Sequence, residues 1–438
     1  MLPKNAPGSS FFGFLICVCA LLLSGCGGGG SASSTPGTSG TSSTPVNNVQ
    51  PIVVDSGPPA VGGTVNEPFV TITICAPADP TNCQTIDHVQ VDTGSVGLRI
   101  IGSVLNASLL SALTSETDPT GNPVAECYQY VDGYVFGSVR QADFTIGGEK
   151  VSSMPVNVIG DTGVFSTVPS SCSSGGGTNE DTVPDFGANG IIGIGVTSTD
   201  CGTICESAGG ESAAIYYDCP SSGCSTIIGR AANTTAPFQQ LPNPVAAMST
   251  DNNGSILMLP SAPAAGEVSM SGTLYFGIGT ETNNGLGSTK IYTTTGSESA
   301  NGPGLITATL NNQTLNESYI DSGTSLYTFV DTSIAACTES GLNGFYCPAS
   351  PVTINPTIQG QNGVSTAVQI TIDNANTLFQ NTTFTVLPGL GLNPNVAFPN
   401  TAYPSSFAFG LPFFYGRSVA TAIEGRNAAG TAGPYFAF

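Results

Sequence analysis

The chain has 438 residues, room for about two or three domains, with 40% hydrophobic and only 8% charged residues. Twenty-nine acids against eight bases leave a formal net charge of −21; no cluster of Lys and Arg is present to neutralise phosphates, which argues against nucleic acid as a partner. The 56 Gly and 31 Pro favour a turn-rich, all-β chain over a helical one.

Lys4 and the amino group give a weakly positive start, and Phe11–Leu23 (FFGFLICVCALLL) is an apolar run of signal-peptide length, short for a membrane span. It ends in Leu23-Ser24-Gly25-Cys26, which resembles the lipobox of bacterial lipoproteins. The resemblance implies a signal peptide over residues 1–26 and lipidation of Cys26 as the mature N-terminus. It also implies a bacterial cell-envelope location, anchored to a membrane by lipid on the outer-membrane or periplasmic side. A plain secretory signal with an incidental Cys is the alternative. Residues 27–49, dominated by Gly, Ser, Thr and Pro, form a linker that cannot pack; its flexible reach is about 25–30 Å.

Beyond the linker the chain reads as strands. Pro68–Cys75 (PFVTITIC) and His88–Val91 (HVQV) are β-branched, Tyr134–Gly148 reads as a hairpin leading into a further strand, and Gly190–Val196 (GIIGIGV) reads as a buried strand. Gly254–Pro260, Gly272–Gly279, Leu305–Asn312 and Phe407–Gly425 continue the pattern. Val104–Leu113 and Pro242–Ser249 are the candidate helices, and Thr197–Thr234 is a Cys/Ser/Gly-rich insertion. Of the thirteen Cys, setting aside Cys17, Cys19 and Cys26 leaves ten. An even number in an exported chain suggests disulfides. Short spacings invite Cys75–Cys83, Cys201–Cys205, Cys219–Cys224 and Cys337–Cys347, leaving Cys127 with Cys172, although sequence alone does not fix the connectivity. Cys201-x-x-x-Cys205 has no His nearby to complete a metal site.

One short motif occurs twice. Val91-Asp92-Thr93-Gly94-Ser95 and Ile320-Asp321-Ser322-Gly323-Thr324 each place an apolar residue before Asp, then hydroxyl, Gly, hydroxyl, 229 residues apart (321 − 92). Asp55-Ser56-Gly57 and Asp161-Thr162-Gly163 lack the second hydroxyl. The pair suits acid–base chemistry: two carboxyls held together cannot both ionise easily, so they share a proton. One can then take a proton from water while the other hydrogen-bonds a substrate carbonyl. Gly94 and Gly323 allow the two turns to meet. Ser95 and Thr324 can donate to the outer carboxylate oxygens, and Thr93 and Ser322 can tie the turns together. This chemistry needs no metal and no cofactor. His88 is the chain's one histidine and reads as a strand residue, not as the base of a Ser-His-Asp triad. Gly190–Gly195 has no Lys or helix start after it, as a phosphate loop would.

With these motifs the chain resembles the pepsin-like aspartic peptidases from about residue 50 to the C-terminus. Tyr130-Val131-Asp132-Gly133-Tyr134-Val135-Phe136-Gly137 has the Tyr-x-x-Gly-x-x-x-Gly spacing of that family's flap, the hairpin that covers substrate. Gly190-Ile191-Ile192-Gly193 and Phe407-Ala408-Phe409-Gly410 resemble the segments that back the two catalytic loops, and Gly272–Gly287 resembles the start of the second lobe. The resemblance implies an all-β, bilobal fold of two barrel-like lobes, over residues 50–265 and 266–438, with a cleft between them. It implies Asp92 and Asp321 as catalytic residues, Tyr130 as the flap tyrosine, and aspartic endopeptidase activity on a polypeptide substrate by a monomer. Departures are present. The family usually carries a Trp bonded to the flap tyrosine, whereas Arg99 stands in this region and the chain has no Trp. Val131 replaces a small flap residue, Gly410-Leu411 lacks an Asp often found there, and the Thr197–Thr234 insertion is atypical. The competing reading is a catalytically inactive lipoprotein of the same fold that binds peptides or proteins at the cell surface.

Overall fold

The computed structural model describes residues 48–118, 120–202, 215–226, 240–299, 302–398 and 405–438. The expected signal peptide, Cys26 and the expected linker up to residue 47 lie outside the described residues, as does most of the Thr197–Thr234 insertion. Asn48 is buried and Val49 opens the first strand.

Strands account for 42% of the chain and helices for 9%, so the protein is all-β. Strand Pro68–Ala76 alternates inward and outward residues along much of its length, the period-2 signature of a half-buried strand. The longest described helix, Ala107–Ala112, lies inside the expected Val104–Leu113 segment and is capped by the Asn106 side chain accepting from Leu109 N–H.

Each half of the chain repeats one arrangement around its motif. In the first half, strand Asp79–Asp92 leads into the Thr93–Ser95 turn and strand Val96–Ile101 returns. The buried segment Gly190–Ile194 lies between them, parallel to the first (Ile192 opposite Val91) and antiparallel to the second (Ile192 opposite Leu98). In the second half, Gln313–Ile320 leads into Ser322–Thr324 and Tyr327–Thr328 returns. Ala408–Phe409 lies between them, parallel to one (Phe409 opposite Ile320) and antiparallel to the other (Phe409 opposite Tyr327). The expected two-lobed organisation is built on this duplication.

A six-stranded antiparallel layer joins the halves in the order Val49–Val54, Met270–Phe276, Gly254–Leu259, Arg417–Ala422, Tyr435–Ala437 and Ile291–Thr293. The boundary expected between residues 265 and 266 falls in the connection between two neighbouring strands of this layer. Behind the second motif, Phe407 and Phe409 share one strand face, two residues apart. Their rings stack at 4.2 Å, and Phe407 stacks on Phe329 at 4.7 Å.

Two expectations are corrected. Tyr134–Gly148 is not a hairpin; Gly133–Ile146 is one continuous strand, and its hairpin partner is Val124–Gln129. Gly137 on this strand serves close packing, because a Cβ there would collide with the Val158 carbonyl. Pro242–Ser249 forms turns. Asn243 spends its side chain on Gly195 O, Thr197 O and Val245 N–H, the local bonding that competes with helix.

Four of the expected disulfides are present: Cys75–Cys83, Cys127–Cys172, Cys219–Cys224 and Cys337–Cys347. Cys201 is disulfide-bonded as well, while Cys205 lies outside the described residues. Glu339 sits close to Cys337 and Cys347, but their sulfurs are joined and offer no thiolate to a metal.

Candidate active site

The two motif turns meet tip to tip. Thr93 N–H donates to Ser322 Oγ at 3.1 Å, and Ser322 N–H donates to Thr93 Oγ1 at 2.9 Å. Ser322 Oγ also donates to the Val91 carbonyl at 2.7 Å. Thr93 is 4% exposed and Ser322 fully buried, so each of these bonds satisfies a group that water does not reach.

Within each turn the Asp is held by the glycine two residues on. Asp92 Oδ1 accepts from Gly94 N–H at 2.7 Å, and Asp321 Oδ1 from Gly323 N–H at 2.8 Å. The same glycines face the opposite carboxyl. A Cβ on Gly94 would stand 2.6 Å from Asp321 Oδ2, and one on Gly323 would stand 2.6 Å from Asp92 Oδ1. Only hydrogen fits at either place.

Asp321 is hydrogen-bonded to Asp92, and its carboxyl is held well above the usual carboxylate range. Burial is the main cause, followed by the Asp92 charge and the hydrogen bond between the two side chains; bonds from Thr324 and Gly323 oppose it. The pair therefore holds a proton where an ordinary carboxyl has lost it.

The outer hydroxyls differ. Thr324 Oγ1 donates to Asp321 Oδ2 at 2.8 Å, as its place in the motif suggests. Ser95 makes no such bond: its Oγ is buried without a hydrogen-bond partner among the described residues. It packs instead against Gly193, 2.7 Å from where a Cβ would stand. The backing segments explain their own glycines. A Cβ at Gly193 would come within 2.6 Å of Val96 N, and one at Gly410 would strike the carbonyls of Thr324 and Leu326.

The hairpin Val124–Gln129/Gly133–Ile146 has Tyr130, Val131 and Asp132 at its turn, closed by Tyr130 N–H to Gly133 O at 2.8 Å. Val131 is 64% exposed. A Cβ at Gly133 would collide with Glu180 and the Thr178 carbonyl, so both glycines of the Tyr-x-x-Gly-x-x-x-Gly spacing are packing requirements. The Tyr130 ring packs on Tyr128 at 5.0 Å and edge-on to Phe186 at 5.9 Å. Its hydroxyl is buried with no partner among the described residues.

His88 does not serve a serine. Its ring nitrogens lie 3.4 Å from Asp55 and 3.3 Å from Asp87, and its ring meets Phe69 edge-on. The two incomplete motifs have structural duties: Asp55 caps Gly57 N–H at 2.9 Å, and buried Asp161 pairs with Arg140 at 2.6 Å.

Sequence reasoning missed two features. Asn66, fully buried with φ of 54°, ties the first half to the second. Its Nδ2 donates to Ser325 O at 2.8 Å and Leu387 O at 2.9 Å, and its Oδ1 accepts from Leu387 N–H and Tyr415 Oη, both at 2.7 Å. Ser325 directly follows the second motif, so Asn66 braces it from the other half. Arg99 is also fully buried and forked onto Glu126, Nε to Oε2 at 3.1 Å and Nη2 to Oε1 at 2.6 Å. An Arg inside the apolar strand VGLRII was the available signal that a buried partner must exist.

The model of the family described as "Protein of unknown function (DUF3443)" matches residues 44–438. No curated protein matches the sequence. Among solved structures, the chain is similar to an aspartic proteinase from Irpex lacteus at 14% sequence identity and a TM-score of 0.49, covering 89% of this chain and 96% of that one.

Proposed function

We propose that this chain, which belongs to the DUF3443 family, is an aspartic endopeptidase that hydrolyses peptide bonds with Asp92, Asp321 and an activated water. The observation that carries this reading is the pair of carboxyls, each facing the other's motif glycine, at the meeting point of two motif turns.

The raised Asp321 carboxyl suggests the roles. Asp92 takes a proton from water as the water oxygen bonds to the scissile carbonyl carbon, and Asp321 gives its proton to the carbonyl oxygen. The product is a tetrahedral diol. On collapse the C–N bond breaks, Asp92 passes its proton to the leaving nitrogen, and one diol hydroxyl returns a proton to Asp321. Both carboxyls end as they began. Gly94, Gly323, Thr93, Ser322 and Thr324 position the pair; Tyr130 covers bound peptide. The lobes, residues 50–265 and 266–438, contribute one Asp each. The Leu23-Ser24-Gly25-Cys26 sequence supports export with a lipid anchor at Cys26, which would place the enzyme at a bacterial envelope membrane as a monomer.

The test is cleavage of a denatured protein across about pH 3–7, comparing the natural chain with Asp92→Asn and Asp321→Asn. Cleavage by the natural chain and none by either folded variant is expected. Equal cleavage by either variant rejects the dyad. No cleavage by the natural chain, with no binding of a statine-type inhibitor, favours a peptide-binding lipoprotein of the same fold.

A further inference from the structure

The chain holds a second buried pair of carboxyls, Glu126 and Asp200, away from the motif turns. Both side chains are fully buried, as is Arg99, whose Nη2 lies 2.6 Å from Glu126 and 3.5 Å from Asp200. Arg99 Nη1 donates to Val96 O at 2.9 Å. Tyr216 Oη donates to the Asp200 carboxyl at 2.8 Å and accepts from Leu241 N–H at 2.7 Å. Asp200 and Glu126 are also hydrogen-bonded to each other.

Charge decides the protonation of this cluster. One guanidinium balances one carboxylate; a second carboxylate would leave an unpaired negative charge where water does not reach. Two carboxyls hydrogen-bonded together need a proton between them. Burial and the Glu126 charge hold Asp200 well above the usual carboxylate range, with Arg99 and Tyr216 opposing. Among the described residues, the groups facing Asp200 are Arg99 from the strand after the Asp92 turn, Glu126 and Tyr128 from the hairpin, and Tyr216 from strand Tyr216–Asp218.

The cluster joins three stretches of chain. Arg99 belongs to the strand that leaves the Asp92 turn. Glu126 belongs to the first arm of the covering hairpin. Asp200 precedes disulfide-bonded Cys201. The guanidinium lies 3.8 Å from the centre of the Tyr128 ring, and Tyr128 packs on Tyr130. A path of contacts therefore runs from Asp200 to the hairpin's tip.

We propose that Asp200, carrying a proton, is a positioning residue that holds the covering hairpin against the Asp92 turn, and that its ionisation frees the hairpin. Its bearing on peptide cleavage rests on the endopeptidase reading, but the movement itself does not. Ionised Asp200 loses its hydrogen bond to Glu126 and leaves the cluster one charge in excess. The site would be closed and ordered in acid and loosened toward alkaline pH.

The test is hydrogen exchange of the full chain at about pH 4 and about pH 8, corrected for intrinsic rates. In the natural chain, protection of residues 124–129 should fall at least about tenfold at the higher pH while that of 254–259 is kept. Asp200→Asn cannot ionise and its amide can still donate to Glu126, so it should keep protection at both pH values. Asp200→Ala should be unprotected over 124–129 at both. The carboxyls of Glu67, Asp132 and Glu180 gather at the hairpin tip; exchange confined to residues 130–134 reports on them and persists in Asp200→Asn. Unchanged protection of 124–129 in the natural chain, or an equal fall in Asp200→Asn, overturns the proposal, as does full protection in Asp200→Ala. If the natural chain cleaves denatured protein, Asp200→Asn should also extend the alkaline limb of kcat/KM; an identical limb overturns the link to catalysis. A natural chain without cleavage counts against the endopeptidase reading alone, because exchange still decides the role of Asp200.

Discussion

Thr93 and Ser322 exchange hydrogen bonds across the meeting point of the two halves, each side-chain oxygen accepting from the other's backbone N–H. The exchange fixes the spacing of the residues beside them, Asp92 and Asp321. Thr93→Val keeps the shape but strands the buried Ser322 N–H. A loss of about 1–3 kcal/mol is expected in urea unfolding, with a larger proportional loss of kcat than rise in KM.

Gly94→Ala separates geometry from backbone preference. Gly94 is absent from the positive-φ residues, so alanine meets no conformational penalty there, only the Asp321 carboxyl. The carboxyls must part to admit the methyl group. Cleavage should fall at least about a hundredfold, as misplacement by an ångström does, while circular dichroism shows the fold retained. Gly323→Ala should behave alike through Asp92.

Asn66 combines a left-handed backbone with a buried set of side-chain bonds. Asn66→Gly keeps the backbone and loses the bonds; Asn66→Ala loses both. Thermal unfolding should rank natural chain above Gly above Ala, with about 1 kcal/mol between the last two. Equal stability of the two variants would show that the φ of 54° carries no cost.

The Glu180 carboxyl is pushed up to about 9, chiefly by burial and then by the Asp132 and Asp185 charges. The folded chain thus keeps a proton that the unfolded chain releases near the ordinary value of 4.5. Its stabilisation is complete below the unfolded value and is lost as pH rises toward the folded one. Glu180→Gln removes this titration. Between about pH 5 and pH 9 the variant's Tm should fall several degrees less than that of the natural chain.

Cys127 lies on the first arm of the hairpin Val124–Gln129/Gly133–Ile146 and Cys172 in the short helix Ser170–Ser173, 45 residues away. Loop-closure entropy assigns such a crosslink about 4 kcal/mol. A Cys127→Ala, Cys172→Ala double variant should lose an amount of this order in denaturant unfolding; a loss below about 1 kcal/mol would show that the unlinked chain is already constrained there.

What the sequence revealed was chiefly local. The two Asp turns, their glycines and their hydroxyls lie within five residues each, and the short-range cysteine pairs needed only spacing. Ser95 departs from its expected bond because Gly193, nearly a hundred positions later, lets its hydroxyl settle elsewhere. Glu126 and Asp200 could not be assigned to Arg99, since no periodicity links residues 27 and 101 positions apart. Asn66 gave the weakest warning of all, an Asn in a loop whose partners are 259 and 321 residues away.

The layer that unites the halves governs how the molecule comes into being. Val49 pairs with Tyr275, and the Gly254–Leu259 strand waits for Arg417–Ala422. During synthesis the earliest strand therefore emerges with its apolar edge bare long before its mate exists, and closure depends on distant contacts, which are slow to form. The two acidic turns, one in each half, can therefore meet only after nearly all of the chain is available.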